Sequence, residues 1–154
     1  MSFLAELLEN IRTAAEAALT PEPTPPAPAT RDADPDPAPT PTPSVSIVYG
    51  SDPPMNGICM IQGAGFPSEE HLNAGMLYRL PVLLNGKNAS QEKILDDLTT
   101  IHVALTKTLD YTALRTESVQ VLNIRTTASP SILGREQNNQ WICGSSFEVS
   151  FYWR

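Results

Sequence analysis

The sequence predicts an α+β fold, in which a mixed or antiparallel sheet of about five strands packs against a central helix. Apolar residues recur at helical spacing in residues 2–19 and again in residues 94–109. Apolar runs with the alternation of strands occupy most of the chain after residue 43. The predicted organisation is an N-terminal docking helix (residues 1–19), a linker rich in Pro, Ala, Thr and Asp (residues 20–43) and an α+β domain (residues 44–154).

The N-terminal segment has one apolar face, with charged residues between the apolar positions. An isolated helix of this length is marginally stable in water, so its apolar stripe needs a surface in its own domain or on a neighbouring subunit. We therefore predict an amphipathic helix that anchors itself in a groove. The candidate protein-interface residues are Phe3, Leu4, Leu7, Leu8 and Ile11.

The linker contains ten of the fifteen prolines of the chain and shows no hydrophobic period. Such a composition buries too little surface to offset the entropy of ordering. At about 3.1 Å per residue in polyproline II geometry, residues 21–43 could reach on the order of 70 Å. The reach permits the helix to dock on its own domain or on another subunit.

The strand predictions depend on apolar parity and on the turn residues between the runs. In residues 44–49, Val45, Ile47 and Tyr49 form one face of a first strand. Residues 58–61 are apolar on both faces and predict a central strand, followed by a loop through about Gly75. Three later strands are predicted. Residues 80–84 form the first, with Pro81 at its start or on a sheet edge, and residues 119–126 form the second, which ends at residues 128–130. Residues 141–153 form the third, with their odd-numbered face buried.

The central helix is predicted to begin at a cap formed by Ser90 or Asn88. One stripe at helical spacing should pack it on the sheet. The stripe consists of Ile94, Leu98, Ile101, Leu105 and Leu109.

The sequence offers little catalytic chemistry, so we predict no enzyme activity, no catalytic residue, no cofactor and no metal. The two histidines, His71 and His102, have no evident partner, and Asp96 and Asp97 point to different sides of a helix. The net charge of −7 argues against a surface that neutralises phosphates, so nucleic acid is not an expected ligand. Cys59 and Cys143 are predicted to be buried free thiols, and no apolar run reaches the roughly 18 to 20 residues of a membrane span.

Several short motifs occur in a characteristic order. They are SIVYG (residues 46–50) followed by DPP (52–54), NGICMI (56–61) leading to Gly63 and Pro67, LPVLLNGK (80–87) before the helix, and ILGRE (132–136) before the aromatic strand. In this order the elements resemble the phage tail-terminator and minor-capsid protein family, over residues 44–154.

The resemblance implies a virion structural protein: a bacteriophage tail terminator that forms a homo-oligomeric, hexameric ring. Such a subunit binds the tail-tube protein, ends tube polymerisation and offers a surface to the head–tail connector or stopper protein. Genomic DNA would pass through the lumen without specific binding, and the ring would lie in the tail or neck of a virion assembled in the host cytoplasm. Two alternatives remain: another phage neck or head-completion (minor capsid) protein, and an unrelated protein-binding module. Ring contacts are expected on strand edges and on loops around residues 63–75 and 127–140.

Overall fold

The computed structural model has two helices on one face of a mixed sheet, which confirms the predicted fold class. It describes residues 2–20, 46–70 and 75–154, so the predicted linker lies almost entirely outside the described residues. In chain order the elements are α1 (Phe3–Leu19), β1 (Ile47–Tyr49), β2 (Ile58–Gln62), β3 (Phe66–Glu70), β4 (Met76–Asn88), α2 (Gln91–Val103), a π-helical turn (Ala104–Thr108), a 3-10 turn (Tyr111–Leu114), β5 (Val119–Arg135) and β6 (Trp141–Trp153).

The sheet has the strand order β1-β2-β4-β6-β5, and β3 pairs with β4 beyond the end of β2. Strand β1 is parallel to β2, and the other described pairs are antiparallel. Strands β4 and β6 pair along all 13 residues of each strand, so they form the stiff centre of the sheet.

Two predicted breaks are wrong, because pairing with a neighbouring strand overrides the local turn residues. The loop predicted from Gly63 to Gly75 contains strand β3, which pairs with the first half of β4. The break predicted at residues 128–130 does not end β5, which continues to Arg135 along the partner strand β6. Strand β5 accommodates these turn residues as irregularities in its ladder with β6, which shifts register on both sides of Ala128.

Pro81 also differs from its prediction, because it lies in the middle of β4, opposite Glu148 of β6. Its carbonyl accepts a hydrogen bond of 2.8 Å from the backbone N–H of Gly63. The nitrogen and carbonyl of one strand residue point to the same side, so the proline nitrogen faces the gap between β2 and β3. The missing N–H therefore costs no ladder bond, although the proline is neither at the strand's start nor on a sheet edge.

The core between helices and sheet confirms the predicted stripes. Ser90 caps α2 by accepting a hydrogen bond from the N–H of Lys93 at 3.3 Å. From α2 and the following turn, Ile94, Leu98, Ile101 and Leu105 are buried, and Leu109 packs against them; from β6, Cys143, Phe147, Val149 and Phe151 are buried. Tyr49 is an exception to its predicted strand face, because it is 53% exposed.

Candidate interaction surface

The five predicted interface residues lie in the core of their own chain. Leu7 and Ile11 are fully buried and Leu8 nearly so, while Phe3 and Leu4 pack against the core with part of their surface exposed. The ring of Phe3 stacks on Trp153 with centroids 5.1 Å apart. Helix α1 therefore docks in cis in this structure, and contact of these residues with another subunit stays a prediction.

Polar residues of α1 bind the outer edge of β1. The carboxylate of Glu16 accepts a hydrogen bond of 2.8 Å from the backbone N–H of Ile47, and the Arg12 guanidinium donates to the carbonyl of Ile47 at 3.4 Å. Arg12 is held in turn by ion pairs with Glu9 and Glu16 on the same helix. The outward backbone groups of Ile47 are thus occupied, so this edge is closed to a further strand at that position.

The electrostatics of this α1–β1 contact follow from the same partners. Hydrogen bonds from Arg12 and from the hydroxyl of Tyr49 lower the pKa of Glu9 to about 2. Burial, followed by the hydrogen bond to Glu9, raises the pKa of Tyr49 to about 12. Both groups keep their charge states across the physiological range, so the contact persists at ordinary pH.

The opposite edge of the sheet, β5, is protected by irregularity. Its ladder with β6 shifts register at four places between Val121 and Gly134, and Pro130 lacks a backbone donor. Bulges and proline are the devices by which natural sheets discourage pairing with a further strand. Neither outer strand of the order β1-β2-β4-β6-β5 offers a long regular ladder, so association through these two strands is disfavoured.

The sheet face away from the helices carries an apolar band that crosses the strands. Adjacent rows of the ladder place Val48 beside Cys59 and Asn85, and Ile61 beside Leu83. Leu133 lies over Gly144, since a Cβ built on that glycine would meet Cδ1 of Leu133 at 2.7 Å. Leu133 is 66% exposed, and Val48 and Leu83 are each 40% exposed. We define this set, Val48, Ile61, Leu83 and Leu133, as the outer band.

The outer band was not among the sequence predictions, although one signal was present. Residues 80–84 are apolar on both parities, and the structure buries Leu80, Val82 and Leu84 while exposing Leu83 on the other face. An apolar run of that kind predicts burial on both faces. Within the described residues no helix covers the second face, so several apolar side chains remain at its surface, and apolar residues grouped on one exposed face are a common mark of a binding surface.

The two layers of the domain differ in charge. The six strands contain four cationic residues and three acids, two of which are Glu69 and Glu70 of β3, and the cation Arg125 is paired with Glu148. The elements α1, α2 and the π-helical turn contain six acids and three cations. The helical layer is therefore net acidic, and the strands of the sheet are close to neutral.

A polar cluster fixes the turns at one end of this face. The ammonium of Lys87 lies 2.7 Å from a carboxylate oxygen of Asp52 and 2.7 Å from one of Glu136. These hydrogen bonds raise the pKa of Lys87. Because Asp52 belongs to the β1–β2 connection and Glu136 to the β5–β6 turn, the cluster holds the surroundings of the outer band in one arrangement.

The residues weighed for chemistry do not converge on a site in the described part of the chain. His102 lies on the buried face of α2, with Nδ1 2.8 Å from the hydroxyl oxygen of Thr126, and burial lowers its pKa. His71 lies outside the described residues, and Asp97 pairs with Lys93 on the surface of α2. Among described residues, no group of three or more His, Cys, Asp or Glu side chains could hold a metal ion.

The cysteine prediction is confirmed. Cys59 and Cys143 are free and buried, and burial raises the pKa of both thiols. None of the helices in the described ranges is long and apolar enough to cross a membrane.

Comparison with known protein families finds no matching family model, and no curated protein matches the chain significantly.

Proposed function

We propose that this protein is a non-enzymatic structural subunit of a tailed-phage virion: a tail terminator that forms a ring, caps the tail tube and joins it to the head connector. The observation that carries the proposal is the outer band, a set of exposed apolar side chains on a sheet whose outer strands β1 and β5 are protected. Exposed apolar side chains grouped on one face of a stiff domain favour a role in binding other proteins. The order of sequence motifs resembles that of the tail-terminator and minor-capsid family.

The shape of the domain supports a ring more than a simple two-fold dimer. A ring requires two different complementary surfaces on each subunit, so that head-to-tail contacts close after a fixed rotation. A helical layer and an uncovered sheet face are two such surfaces on opposite sides of one domain.

The charge of the whole chain agrees with a ring through which DNA passes. Phosphate affinity comes mainly from cations that displace condensed counterions, and the chain has a net charge of −7. The genome would move past such a subunit without specific binding. The partners we propose are therefore the subunit itself, the tail-tube protein and the connector or stopper protein, in the neck of a virion assembled in the host cytoplasm.

The test is negative-stain imaging of the purified full-length protein, alone and with tail-tube protein. A terminator forms rings that sit at the ends of tubes and limits tube length as its concentration rises. Preferential binding to the portal and connector complex, without capped tubes, contradicts the terminator role and favours another neck or head-completion protein. A persistent monomer that binds neither component would favour an unrelated binding module.

The role of α1 in assembly needs a test other than its deletion. Because Leu7 and Ile11 fill the core of their own domain, removal of residues 1–43 is expected to unfold the protein and would say nothing of assembly. Substitutions on the exposed surface of α1 avoid this problem. Thr13→Arg, at an exposed position, leaves the core intact and should alter tail joining only if α1 also contacts a neighbour.

A further inference from the structure

We infer that a small polar pocket at one end of the sheet binds a carboxylate, presented by an acidic side chain of another protein. The pocket lies where β5 begins and β6 ends, and its volume is about 100 Å³. It does not include the outer band, so the inference goes beyond the proposed function and does not depend on it. We call it the arginine pocket and define it by Arg115, Thr116, Glu117, Ser118, Tyr152 and Arg154.

The arginine pocket has a local excess of positive charge on a chain whose net charge is −7. Arg115 and Arg154 are both exposed, and Glu117 is the one acid among the lining residues. Two positive charges and one negative charge leave a net charge of +1, so one carboxylate neutralises the lining. The ion pairs within the described ranges use other cations, namely Arg12, Lys87, Lys93 and Arg125.

Further acids lie on the flanks of the pocket. The carboxylate of Asp110 accepts a hydrogen bond of 3.0 Å from the backbone N–H of Thr112, which caps the 3-10 turn. Glu69 and Glu70 belong to β3, and strand β4 lies between β3 and β6. The two arginines therefore line the pocket without an ion pair to any carboxylate of the described residues.

Backbone hydrogen bonds fix the positions of both arginines. The N–H of Arg115 donates to the carbonyl of Thr112 at 3.3 Å, and the N–H of Arg154 donates to the carbonyl of Ser118 at 3.1 Å. The guanidinium carbon of Arg154 also lies 5.9 Å from the centre of the Tyr152 ring, in a cation–π arrangement. Part of the ordering that binding requires is therefore present before a ligand arrives.

Thr116 supplies a buried hydroxyl to the same pocket. Its side chain belongs to a residue that is only 8% exposed, and its oxygen accepts a hydrogen bond of 3.1 Å from the N–H of Val119. A hydroxyl that accepts one hydrogen bond still has its own proton to donate. Within the described part of the chain that proton has no acceptor, so an oxygen of a bound carboxylate would satisfy it.

The size and charge of the pocket select a carboxylate side chain over other anions. Arginine binds a carboxylate through two parallel N–H donors. A phosphate group carries more than one negative charge at neutral pH, and the second charge would be opposed by Glu117. Pockets that bury a small-molecule ligand are usually about 300–1,000 Å³, so this one accommodates a carboxylate group while the rest of its carrier stays outside.

The test is an NMR titration of the ¹⁵N-labelled full-length protein with three probes at constant ionic strength. The probes are a blocked tripeptide with aspartate between two glycines, the same peptide with asparagine in place of aspartate, and inorganic phosphate. The aspartate peptide should shift the amide signals of Ser118 and Val119 and the side-chain Nε–H signals of Arg115 and Arg154, with saturation. The asparagine peptide should shift none of them, and phosphate should bind more weakly than the aspartate peptide.

Substitutions in the pocket should change the affinity in opposite directions. Arg115→Gln and Arg154→Gln should each weaken binding of the aspartate peptide at least about tenfold, which corresponds to about 1.4 kcal/mol. Glu117→Gln should strengthen it, because a like charge is removed. Arg135→Gln, at an exposed arginine near the other end of β5, is the matched control and should bind like wild type. A dispersed spectrum establishes that each variant is folded.

Four results would overturn the inference. Equal affinity of wild type and both pocket variants, Arg115→Gln and Arg154→Gln, would show that the guanidinium groups do not bind the probe. Equal binding of the asparagine peptide would show that the carboxylate is not recognised, and tighter binding of phosphate would make this a phosphate site. Shifts that grow linearly without saturation, and equally in Arg135→Gln, would show a diffuse effect of charge without a site.

Discussion

His102 shows how a single side chain links stability to pH. Its ring lies edge-on to Phe147 and Nδ1 bonds the hydroxyl of Thr126, but Nε2 has no hydrogen-bond partner within the described residues. A buried imidazole with one unpaired nitrogen is held in its neutral form, since protonation would place a charge in the core. His102, for which the sequence predicts no special role, therefore lowers the stability of the core at acidic pH.

The prediction for His102 concerns the slope of stability against pH. Burial lowers its pKa in the folded state, so its contribution to the free energy of unfolding is fully present above the unfolded pKa of about 6.5 and is lost as pH falls below that value. Urea unfolding between pH 7.5 and 5.5 should show falling stability in the wild type and a flatter dependence in His102→Leu. Thr99→Gln, at an exposed position of the same helix, is the control and should keep the wild-type slope. An equal slope in His102→Leu and wild type would contradict the prediction.

Gly86 is a second residue whose surroundings fix its identity. It lies in β4 beneath α2, and a Cβ built on it would meet Cδ1 of Ile94 at 2.3 Å and Cγ1 at 2.9 Å. Because Ile94 is itself buried, it has little room to move. The absence of a side chain at Gly86 is therefore what lets the first turn of α2 approach the sheet closely.

Gly86→Ala is expected to lower the free energy of unfolding by about 1–3 kcal/mol, the usual cost of overpacking a core. Equilibrium denaturation measures the change. Gly134→Ala is the control, because a Cβ there meets nothing within 4 Å, and its effect should stay within about 0.5 kcal/mol. Adding Ile94→Val to Gly86→Ala should recover part of the loss. No recovery in the double variant would show that the crowding at Ile94 is not the cause.

At the scale of elements, helix α1 has two functions in the fold. Its apolar face contributes Leu7, Ile11 and Ala15 to the core, and its polar residues Arg12 and Glu16 close the edge of β1. A three-residue edge strand has few ladder bonds of its own. The helix therefore supplies hydrogen bonds that a neighbouring strand would otherwise provide, and it does so at the edge where unwanted pairing would begin.

Helix α2 depends on its cap. Ser90 accepts from the N–H of Lys93 and its own N–H donates to the side chain of Asn88 at 2.9 Å. Ser90→Ala should lower the free energy of unfolding by about 1 kcal/mol, because a first-turn donor loses its partner. Ser90→Asp should retain most of the stability, since aspartate caps equally well. Thermal unfolding compares the three proteins, and an equal loss in both variants would contradict a capping role.

At the scale of the whole molecule, the chain leaves the core after α1 and returns to it at nearly the same place. Glu16 and Ile47 are 31 positions apart in sequence, yet a side-chain oxygen of one lies 2.8 Å from the backbone nitrogen of the other. The proline-rich segment between them is far longer than this closure requires. The length of residues 21–43 is therefore not needed to fold one domain, and we expect it to serve contacts beyond that domain.

Replacing residues 21–43 by about 12 Gly and Ser residues tests this view. The replacement could still span up to about 40 Å, so the fold should persist. Halving a loop lowers its closure entropy by only about 0.6 kcal/mol, so the midpoint of urea unfolding should change little or rise slightly. Substantial destabilisation would show that the proline-rich segment itself stabilises the domain. A matched replacement of equal length separates the effect of length from that of composition.

Sequence alone determined the layers of this protein. The stripe from Ile94 to Leu109 and the odd-numbered face from Cys143 to Phe151 are periodic over many residues, and both pack as predicted, because burial of one face is a local property of the pattern. The sequence also predicted the burial of both cysteines, and it narrowed the cap of α2 to Ser90 or Asn88, of which the structure shows Ser90. Shorter signals predict less well: residues 128–130 predict a break, yet β5 continues through them.

Tertiary structure decided where the layers meet and what they leave uncovered. That α1 docks in cis, that Pro81 fits mid-strand beside a gap and that β5 continues past Pro130 all depend on neighbours distant in sequence. The same holds for the outer band, whose members come from four strands. The local sequence pattern around an apolar residue is the same whether or not a helix covers that residue, because its exposure is set by the packing of the whole chain.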